Sequence, residues 1–185
     1  MIPQAVLDTC VLFPIYKRDL LFQLASDGLY HPKWTSMILE ELRRTFQGKG
    51  PSLEAYAYNL DLMARHFPFA MIEGFEWLIP SLDLPDPDDC HVLAAAIHAQ
   101  VKWIVTDNLK DFPTAYLTEL EIEVLSADRF CAEIIAQYPE KGIQSWKKLV
   151  ARKKRPPISE REYLEIYRFK VGLPLTSNVL EGLLA

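Results

Sequence analysis

Two aspartates each follow a short run of residues that is typical of a buried strand. Asp8 closes the apolar run that begins at Gln4, and Asp107 follows the β-rich run at residues 102–106. Ligand sites in open parallel sheets form at the carboxyl ends of the strands. We therefore expect both carboxylates at one edge of a sheet, facing one cleft. The alternative is that each of them only caps the turn or helix that follows it.

Two further acids point inward from predicted helices. At about 100° per residue, Glu41 falls inside the apolar arc formed by Ile38 and Leu42, whereas Glu40 falls on the opposite side. The same calculation places Asp89 on the buried face of a later helix. A carboxylate turned toward a protein core is costly unless it has a partner or an ion. Both acids are therefore expected to have one.

Four carboxylates in one cleft would require a cation. Two unit charges about 4 Å apart interact by about 4 kcal/mol at an effective dielectric near 20. A purely acidic, oxygen-only site suits Mg²⁺ or Mn²⁺ rather than zinc. His91 and His98 fall on the solvent side of the Asp89 helix, so we expect them at the surface and not as ligands. Asp86 and Asp88 fit a helix cap and a first-turn acid, although Asp86 can also lean into the site.

Alternating strands and helices must position these acids. The alternation predicts an α/β domain whose mostly parallel sheet is covered on both faces. After the first strand and the helix that follows it, two further helices are expected before the next strand. The predicted strands lie near residues 4–8, 71–73, 102–106 and 121–125, and the predicted helices near residues 16–26, 36–47, 52–66, 86–100 and 127–137.

No convincing strand follows residue 137. Pro139 interrupts the pattern, and helices are predicted at residues 142–155, at residues 159–171, where Ser159 begins a capping box, and from Ser177. We therefore predict two parts, an α/β domain at residues 1–137 and a helical extension at residues 139–185.

Charge is distributed unevenly along the chain. The net charge is −5, from 25 acids and 20 bases, and does not indicate a nucleic-acid partner. Residues 141–155, however, carry seven bases and no acid. A polyanion would be repelled by the acids and would need bases elsewhere for affinity. The candidates are Arg43, Arg44, Lys110, Lys147, Lys148 and Arg152, and the alternative for the 141–155 segment is a solvated helix face.

Several other classes of protein are disfavoured. The longest run without a formal charge, residues 90–101, is too short for a membrane span, and the N-terminus is unlike a secretory signal, so the protein is expected in the cytoplasm. Three cysteines without close spacing suggest neither a disulfide framework nor zinc. No glycine follows the first strand as dinucleotide binding requires. A haloacid-dehalogenase-like phosphatase would need a second Asp where Cys10 stands.

Four short motifs occur in an order that resembles a known family. The sequence is similar to PIN-domain nucleases over roughly residues 3–130, and most similar to the toxin-type members that carry a helical C-terminal extension. The motifs are Val6-Leu7-Asp8-Thr9, Ile38-Leu39-Glu40-Glu41-Leu42, Asp86-Pro87-Asp88-Asp89 with the apolar residues after it, and Ile104-Val105-Thr106-Asp107-Asn108 continuing to Asp111-Phe112.

The resemblance implies a three-layer α/β/α fold with a mostly parallel sheet and a divalent-metal nuclease that usually acts on RNA. Asp8 would be the central ligand, and Asp89 and Asp107 would be further ligands. Glu41 would bind the metal, directly or through water, or orient the nucleophile. Thr106 and Asn108 lie beside this quartet, and Asp111 is the alternative to Asp107 as its last member.

One position departs from the family pattern. Many members carry Asn two residues after the first acid, and Cys10 stands there in this chain. A hydrogen bond that orients Asp8 is therefore expected to be missing.

The resemblance also implies a partner, an antitoxin that restrains the nuclease. The predicted second and third helices offer more apolar surface than one core-facing stripe requires, and either an antitoxin or a homodimer could use it. The residues concerned are Leu53, Tyr56, Tyr58, Leu60 and Leu62. The rival function is a catalytically inactive PIN-like module that only binds RNA or a protein.

Overall fold

The computed structural model of the chain describes residues 2–49, 52–154 and 157–185, and a five-stranded parallel sheet lies at its centre. The strand order is β3-β2-β1-β4-β5. The strands are β1 (Gln4–Leu7), β2 (His31–Thr35), β3 (Met71–Ile72), β4 (Trp103–Val105) and β5 (Glu123–Leu125).

The direction in which successive strands are added to the sheet reverses beside β1. β1 pairs with β2 on one side and with β4 on the other, with Val6 opposite Lys33 and Ile104. Strands that follow β1 are added on the first side, and strands that follow β3 are added on the second. Such a switch point opens a crevice at the carboxyl ends of the two strands beside it. Asp8 lies at this point.

Helices cover both faces of the sheet. One layer contains α5, which packs against β1, β2 and β4, while α2 and α7 pack on β2 and β5 and on each other. This arrangement confirms the predicted three-layer α/β/α class. The helices of this part are α1 (Thr9–Leu12), α2 (Ile15–Ser26), α3 (Ser36–Lys49), α4 (Leu53–His66), α5 (Cys90–His98), α6 (Thr114–Glu119) and α7 (Ala127–Gln137), with short 3₁₀ turns at Glu76–Ser81, Pro87–Asp89 and Leu109–Asp111.

The core is built on the central strands and on α5. Ala5, Val6 and Leu7 are fully buried in β1, and so are the five residues from Val92 to Ala96 in α5. Because the sheet lies on one side of α5 and the 3₁₀ turn Glu76–Ser81 lies against it as well, most of this helix has no solvent side.

The prediction of no strand between the helices at residues 16–26 and 36–47 is wrong, because β2 separates α2 from α3. Its sequence, His-Pro-Lys-Trp-Thr, contains a proline, and proline is disfavoured in strand interiors. β2 is nevertheless held between two neighbours, and Trp34 and Thr35 are buried. Tertiary packing therefore outweighs the weak local preference.

Four helices of the C-terminal part follow, one of them π-helical. They are α8 (Pro139–Ala151), α9 (Glu160–Ile166), the π-helical turn Tyr167–Val171 and α10 (Pro174–Leu184). α8 and α10 each begin three residues earlier than predicted, because a proline is well tolerated in the first helical turn. The predicted capping box of Ser159 and Glu162 is present. Arg155, in the predicted basic helix, lies outside the described residues.

The C-terminal helices pack firmly on the α/β part. α8 contacts α2 and α7, and α10 contacts α7. Trp146 is fully buried against the rings of Tyr163 and Tyr167. The carboxylate of Asp128, in α7, accepts the backbone N–H groups of Leu175 and Thr176 at 2.9 and 2.8 Å. α7 thus belongs to both packing units, and the boundary at residues 137–139 stays a prediction.

Among the described residues, no helix has the length and apolar character that a membrane crossing requires.

Candidate active site

Asp8 is held rigidly at the end of β1. Its side chain is buried, and its backbone N–H donates to the Val105 carbonyl of β4. Oδ1 accepts the N–H of Thr9, which caps α1. Oδ2 accepts the hydroxyl of Thr106 at 2.7 Å. Both carboxylate oxygens therefore have fixed directions at the switch point of the sheet.

Cys10 supplies the hydrogen bond that was expected to be missing. Its Sγ lies 3.0 Å from Oδ2 of Asp8 and accepts the backbone N–H of Asp107 at 3.2 Å. Burial, followed by the nearby Asp8 charge, raises the pKa of the Cys10 thiol to about 12. The thiol therefore keeps its proton and can donate it to Asp8.

Three aspartates converge beside Asp8. Asp86, Asp89 and Asp111 each offer a carboxylate oxygen, and these atoms lie within 4.8 Å of one another. The amide of Asn108 donates to Oδ2 of Asp89 at 3.0 Å. Asp86 caps the 3₁₀ turn before α5, as predicted, and also belongs to this carboxylate cluster.

The electrostatics of Asp89 show how closely the acids are gathered. Its pKa is raised to about 6, by burial first and then by the charges of Asp8, Asp86, Asp111 and Glu41. Four other carboxylates thus act on Asp89, in keeping with its inward phase on the helix.

The raised pKa makes the stability of the metal-free protein depend on pH. The unfolded pKa is about 3.9, so ionising Asp89 costs free energy only in the folded chain. Its unfavourable contribution grows as the pH rises from about 4 and is complete above about pH 6. In EDTA at pH 7, Asp89→Asn should raise the melting temperature by roughly 2–4 °C, about 1 kcal/mol for a partly exposed group.

At pH 4 the same substitution should change the melting temperature little. The exposed Asp83→Asn variant serves as a control, with no gain at either pH. An equal gain from Asp89→Asn at both pH values would show that charge repulsion is not its cause.

Asp107 lies outside the three-aspartate cluster. Lys17, in the first turn of α2, pairs with its Oδ2 at 2.5 Å, and the N–H of Ala127 donates to its Oδ1 at 3.1 Å. Both oxygens are therefore used to join β4 to α2 and α7. The sequence left open whether Asp107 or Asp111 is the last member of the quartet. The structure brings Asp111 close to Asp89, whereas it pairs Asp107 with the ammonium group of Lys17.

Glu41 makes an ion-pair contact that the sequence did not predict. His91 Nε2 lies 2.7 Å from its Oε1, and the hydroxyl of Thr9 donates to its Oε2 at 2.9 Å. Burial tends to raise the pKa of Glu41, but the contacts with His91 and Thr9 outweigh it and hold the pKa below its ordinary value. Glu41 is thus an oriented, ionised carboxylate.

The expectation that His91 lies at the surface is wrong. Its side chain is buried, because Glu41 of α3 covers the side of α5 that the helical phase assigned to solvent. Its Nδ1 is buried without a hydrogen-bond partner among the described residues. His98, the last residue of the same helix, is exposed as predicted.

Glu40 points away from the site, as the helical phase predicts. It pairs with Arg43 at 2.7 Å and with Arg44 at 3.2 Å. These contacts, the hydrogen bond from Arg43 first, lower its pKa to about 2. Both arginines, named as candidates for RNA binding, are therefore already paired within their own helix.

The remaining basic candidates lie in two places, beside the carboxylate cluster and on or just after α8. Lys110 is exposed and reaches Asp111 at 3.6 Å, so it lies at the rim of the carboxylate cluster. Lys148 pairs with Asp27 and helps to fasten α8 to α2. Lys147 and Arg152 are exposed on and after α8.

The predicted partner surface on α4 is smaller than expected. Tyr56 is buried and donates its hydroxyl to the Leu39 carbonyl at 2.7 Å, so it belongs to the core. Leu60 and Leu62 are half-buried, and Tyr58 is exposed. The side chain of Leu53 lies outside what the structure describes.

Comparison with known proteins supports the reading of these motifs. A family model described as PIN domain matches residues 4–110, which is more than half of the chain. A second, described as VapC50 C-terminal domain, matches residues 127–182 and thus begins at α7. Searches of curated proteins and of solved structures found no match. The chain therefore belongs to the PIN-domain nuclease family, as a toxin-type member with a VapC50 C-terminal domain.

Proposed function

We propose that the protein is a divalent-metal-dependent ribonuclease that hydrolyses RNA phosphodiester bonds. The observation that supports this most directly is the cluster of Asp86, Asp89 and Asp111, together with the charge of Asp8, at the switch point of the sheet, which acts on Asp89. So many carboxylates repel one another at this spacing, and a cation would relieve the repulsion.

The donor set fits Mg²⁺ or Mn²⁺. All the convergent ligand atoms are carboxylate oxygens, which hard divalent cations prefer. Asp8 and Asp89 would hold the ion, with Asp111 or Asp107 as a further ligand and Glu41 as a direct or water-mediated one. When bound, the ion lowers the pKa of a water molecule and neutralises charge on the phosphate.

The protein's own residues position these groups. Thr106 and Cys10 orient Oδ2 of Asp8, and Asn108 orients Asp89. His91 and Thr9 hold the ionised carboxylate of Glu41, which can accept a proton from the attacking water. Lys110, at the rim of the cluster, can contact a phosphate.

A metal-binding measurement decides whether Asp107 or Asp111 is a ligand of the ion. Mn²⁺ should raise the melting temperature of the native chain by roughly 5–10 °C at 100 times its dissociation constant. Asp111→Asn should remove most of this shift. Asp107→Asn should keep it and lower the metal-free melting temperature, because it removes the ion pair with Lys17. The opposite ranking would make Asp107 the ligand and would require Lys17 to move away.

A panel of RNA substrates tests the proposed function. Single-stranded RNA, duplex RNA and DNA are incubated with the native chain in Mg²⁺, in Mn²⁺ and in EDTA. We expect cleavage of RNA only with a divalent ion, and products without a 2′,3′-cyclic phosphate, because water is the nucleophile. RNA binding without cleavage under every condition would favour the inactive PIN-like module.

The family match also supports a role as the toxin of a toxin–antitoxin pair. Expression of the native chain should slow growth, and co-expression of the adjacent small open reading frame should restore it. The two proteins should co-purify. Harmless expression of an active enzyme that does not bind this neighbour would describe a housekeeping ribonuclease instead.

A further inference from the structure

A second groove lies outside the carboxylate cluster. It has a volume of about 980 Å³ and is formed by residues 152–154 and 157–158, by α9 with its π-helical turn, and by the first turn of α2. Its walls include Tyr16, Arg152, Lys154, Ile166, Phe169 and Lys170. We call it the C-terminal groove.

Aromatic rings are exposed along the C-terminal groove. Phe169 is 74% exposed and Tyr16 is 40% exposed. The guanidinium of Arg168 lies 6.0 Å from the Phe169 ring, and the ammonium of Lys153 lies 5.8 Å from the Tyr16 ring. Exposed rings with cations beside them are the surface on which single-stranded nucleic acids stack their bases.

The charge of the C-terminal groove is opposite to that of the whole chain. Four bases and two acids line it, whereas the chain carries −5. The two acids are engaged: Glu162 accepts from Ser159, and Glu165 pairs with Arg168. In the part of the chain that the structure describes, no ion pair includes Arg152, Lys154 or Lys170. These three bases can therefore contact a phosphate backbone.

The C-terminal groove approaches the carboxyl end of β4 at the first turn of α2. Tyr16 lines the groove, and Lys17, the next residue, pairs with Asp107. The backbone N–H of Asp107 donates to Cys10, which contacts Asp8. The Tyr167 hydroxyl donates to the Tyr16 carbonyl at 2.8 Å, which fixes this turn against the C-terminal helices. A strand that stacks on Tyr16 therefore lies on the side of the molecule where Asp107 and Asp8 end their strands.

We infer that the C-terminal groove binds unpaired nucleotides that flank the scissile bond, with bases stacked on Phe169 and Tyr16 and phosphates held by Arg152, Lys154 and Lys170. This inference rests on the proposed ribonuclease function. The occupant of the groove is unpaired RNA, because a base must leave its duplex to offer a free face to a ring.

Binding is measured by fluorescence anisotropy with a labelled single-stranded RNA, on the full chain carrying Asp8→Asn and in EDTA, so that no cleavage occurs. Phe169→Ala should weaken binding about tenfold, as loss of one stacked base does. Phe69→Ala, which removes a ring that is 86% exposed elsewhere, should not weaken it. Lys170→Gln should reduce the salt dependence of binding by about one phosphate contact.

Unchanged RNA affinity in Phe169→Ala would overturn the inference. Loss of a co-purifying protein in that variant, with RNA affinity intact, would assign the C-terminal groove to a protein partner and overturn it as well. Failure of the proposed function is a separate outcome: the native chain would cleave nothing, while RNA binding would still depend on Phe169.

Discussion

Asp8→Asn is expected to abolish RNA cleavage and leave the fold intact. Asp8 is the buried acid at the centre of the proposed site, and an amide in its place can no longer neutralise a divalent cation. Charge stabilisation by a bound ion contributes several kcal/mol to such reactions, so the rate should fall on the order of 10³-fold or more.

The fold should survive because asparagine caps helices about as well as aspartate does. The new side-chain oxygen can still accept the N–H of Thr9 and begin α1. Circular dichroism should therefore be unchanged, and the melting temperature should move by only a few degrees. Asp88→Asn changes an exposed acid of the Asp86-Pro87-Asp88-Asp89 motif that lies outside the carboxylate cluster; it is the control and should keep full activity. Full cleavage by Asp8→Asn, or by the native chain in EDTA, would falsify the nuclease mechanism.

Glu41→Gln is expected to slow cleavage about 10²-fold, as loss of a general base or of an oriented ligand typically does. The neighbouring Glu40→Gln should change the rate less than twofold, because the structure directs Glu40 to Arg43 and Arg44 on the outer side of α3. The two variants have the same chemistry one residue apart, so each controls for the other. The measurement is the single-turnover rate at saturating Mn²⁺.

Stability measurements separate a catalytic effect of Glu41→Gln from a folding effect. Glutamine can keep a hydrogen bond to His91 and one to Thr9, so the melting temperature should change little. Equal losses of activity in both variants would mean that Glu41 does not act at the site. A large drop in the melting temperature of Glu41→Gln alone would assign its contact with His91 to stability instead.

Local sequence pattern predicted the parts of the fold and site that depend on one element at a time. Asp8 at a strand end and the opposite directions of Glu40 and Glu41 follow from strand and helix periodicity, and the structure confirms these positions. The four predicted strand regions all contain strands of the sheet. The functional roles of these acids stay predictions.

Features that depend on packing between elements were missed. His91 is buried because α3 covers it, and helical phase within α5 carries no information about α3. Lys17 reaches Asp107 across 90 residues of sequence. The choice between Asp107 and Asp111 stayed open in the sequence, because it depends on the 3₁₀ turn that brings Asp111 to Asp89, and no periodic pattern marks such a turn. β2 was not predicted because its sequence contains a proline, although the neighbouring strands stabilise it.

The capping of α10 by Asp128 has a consequence for the order in which the chain can fold during synthesis. Asp128 receives its two hydrogen bonds from residues nearly 50 positions further along, and until these have left the ribosome its buried carboxylate has no partner there. The sheet and α2 can assemble earlier, since domains begin to fold as they emerge. The final packing of α7 is therefore completed late, after the acidic residues of the site have been made.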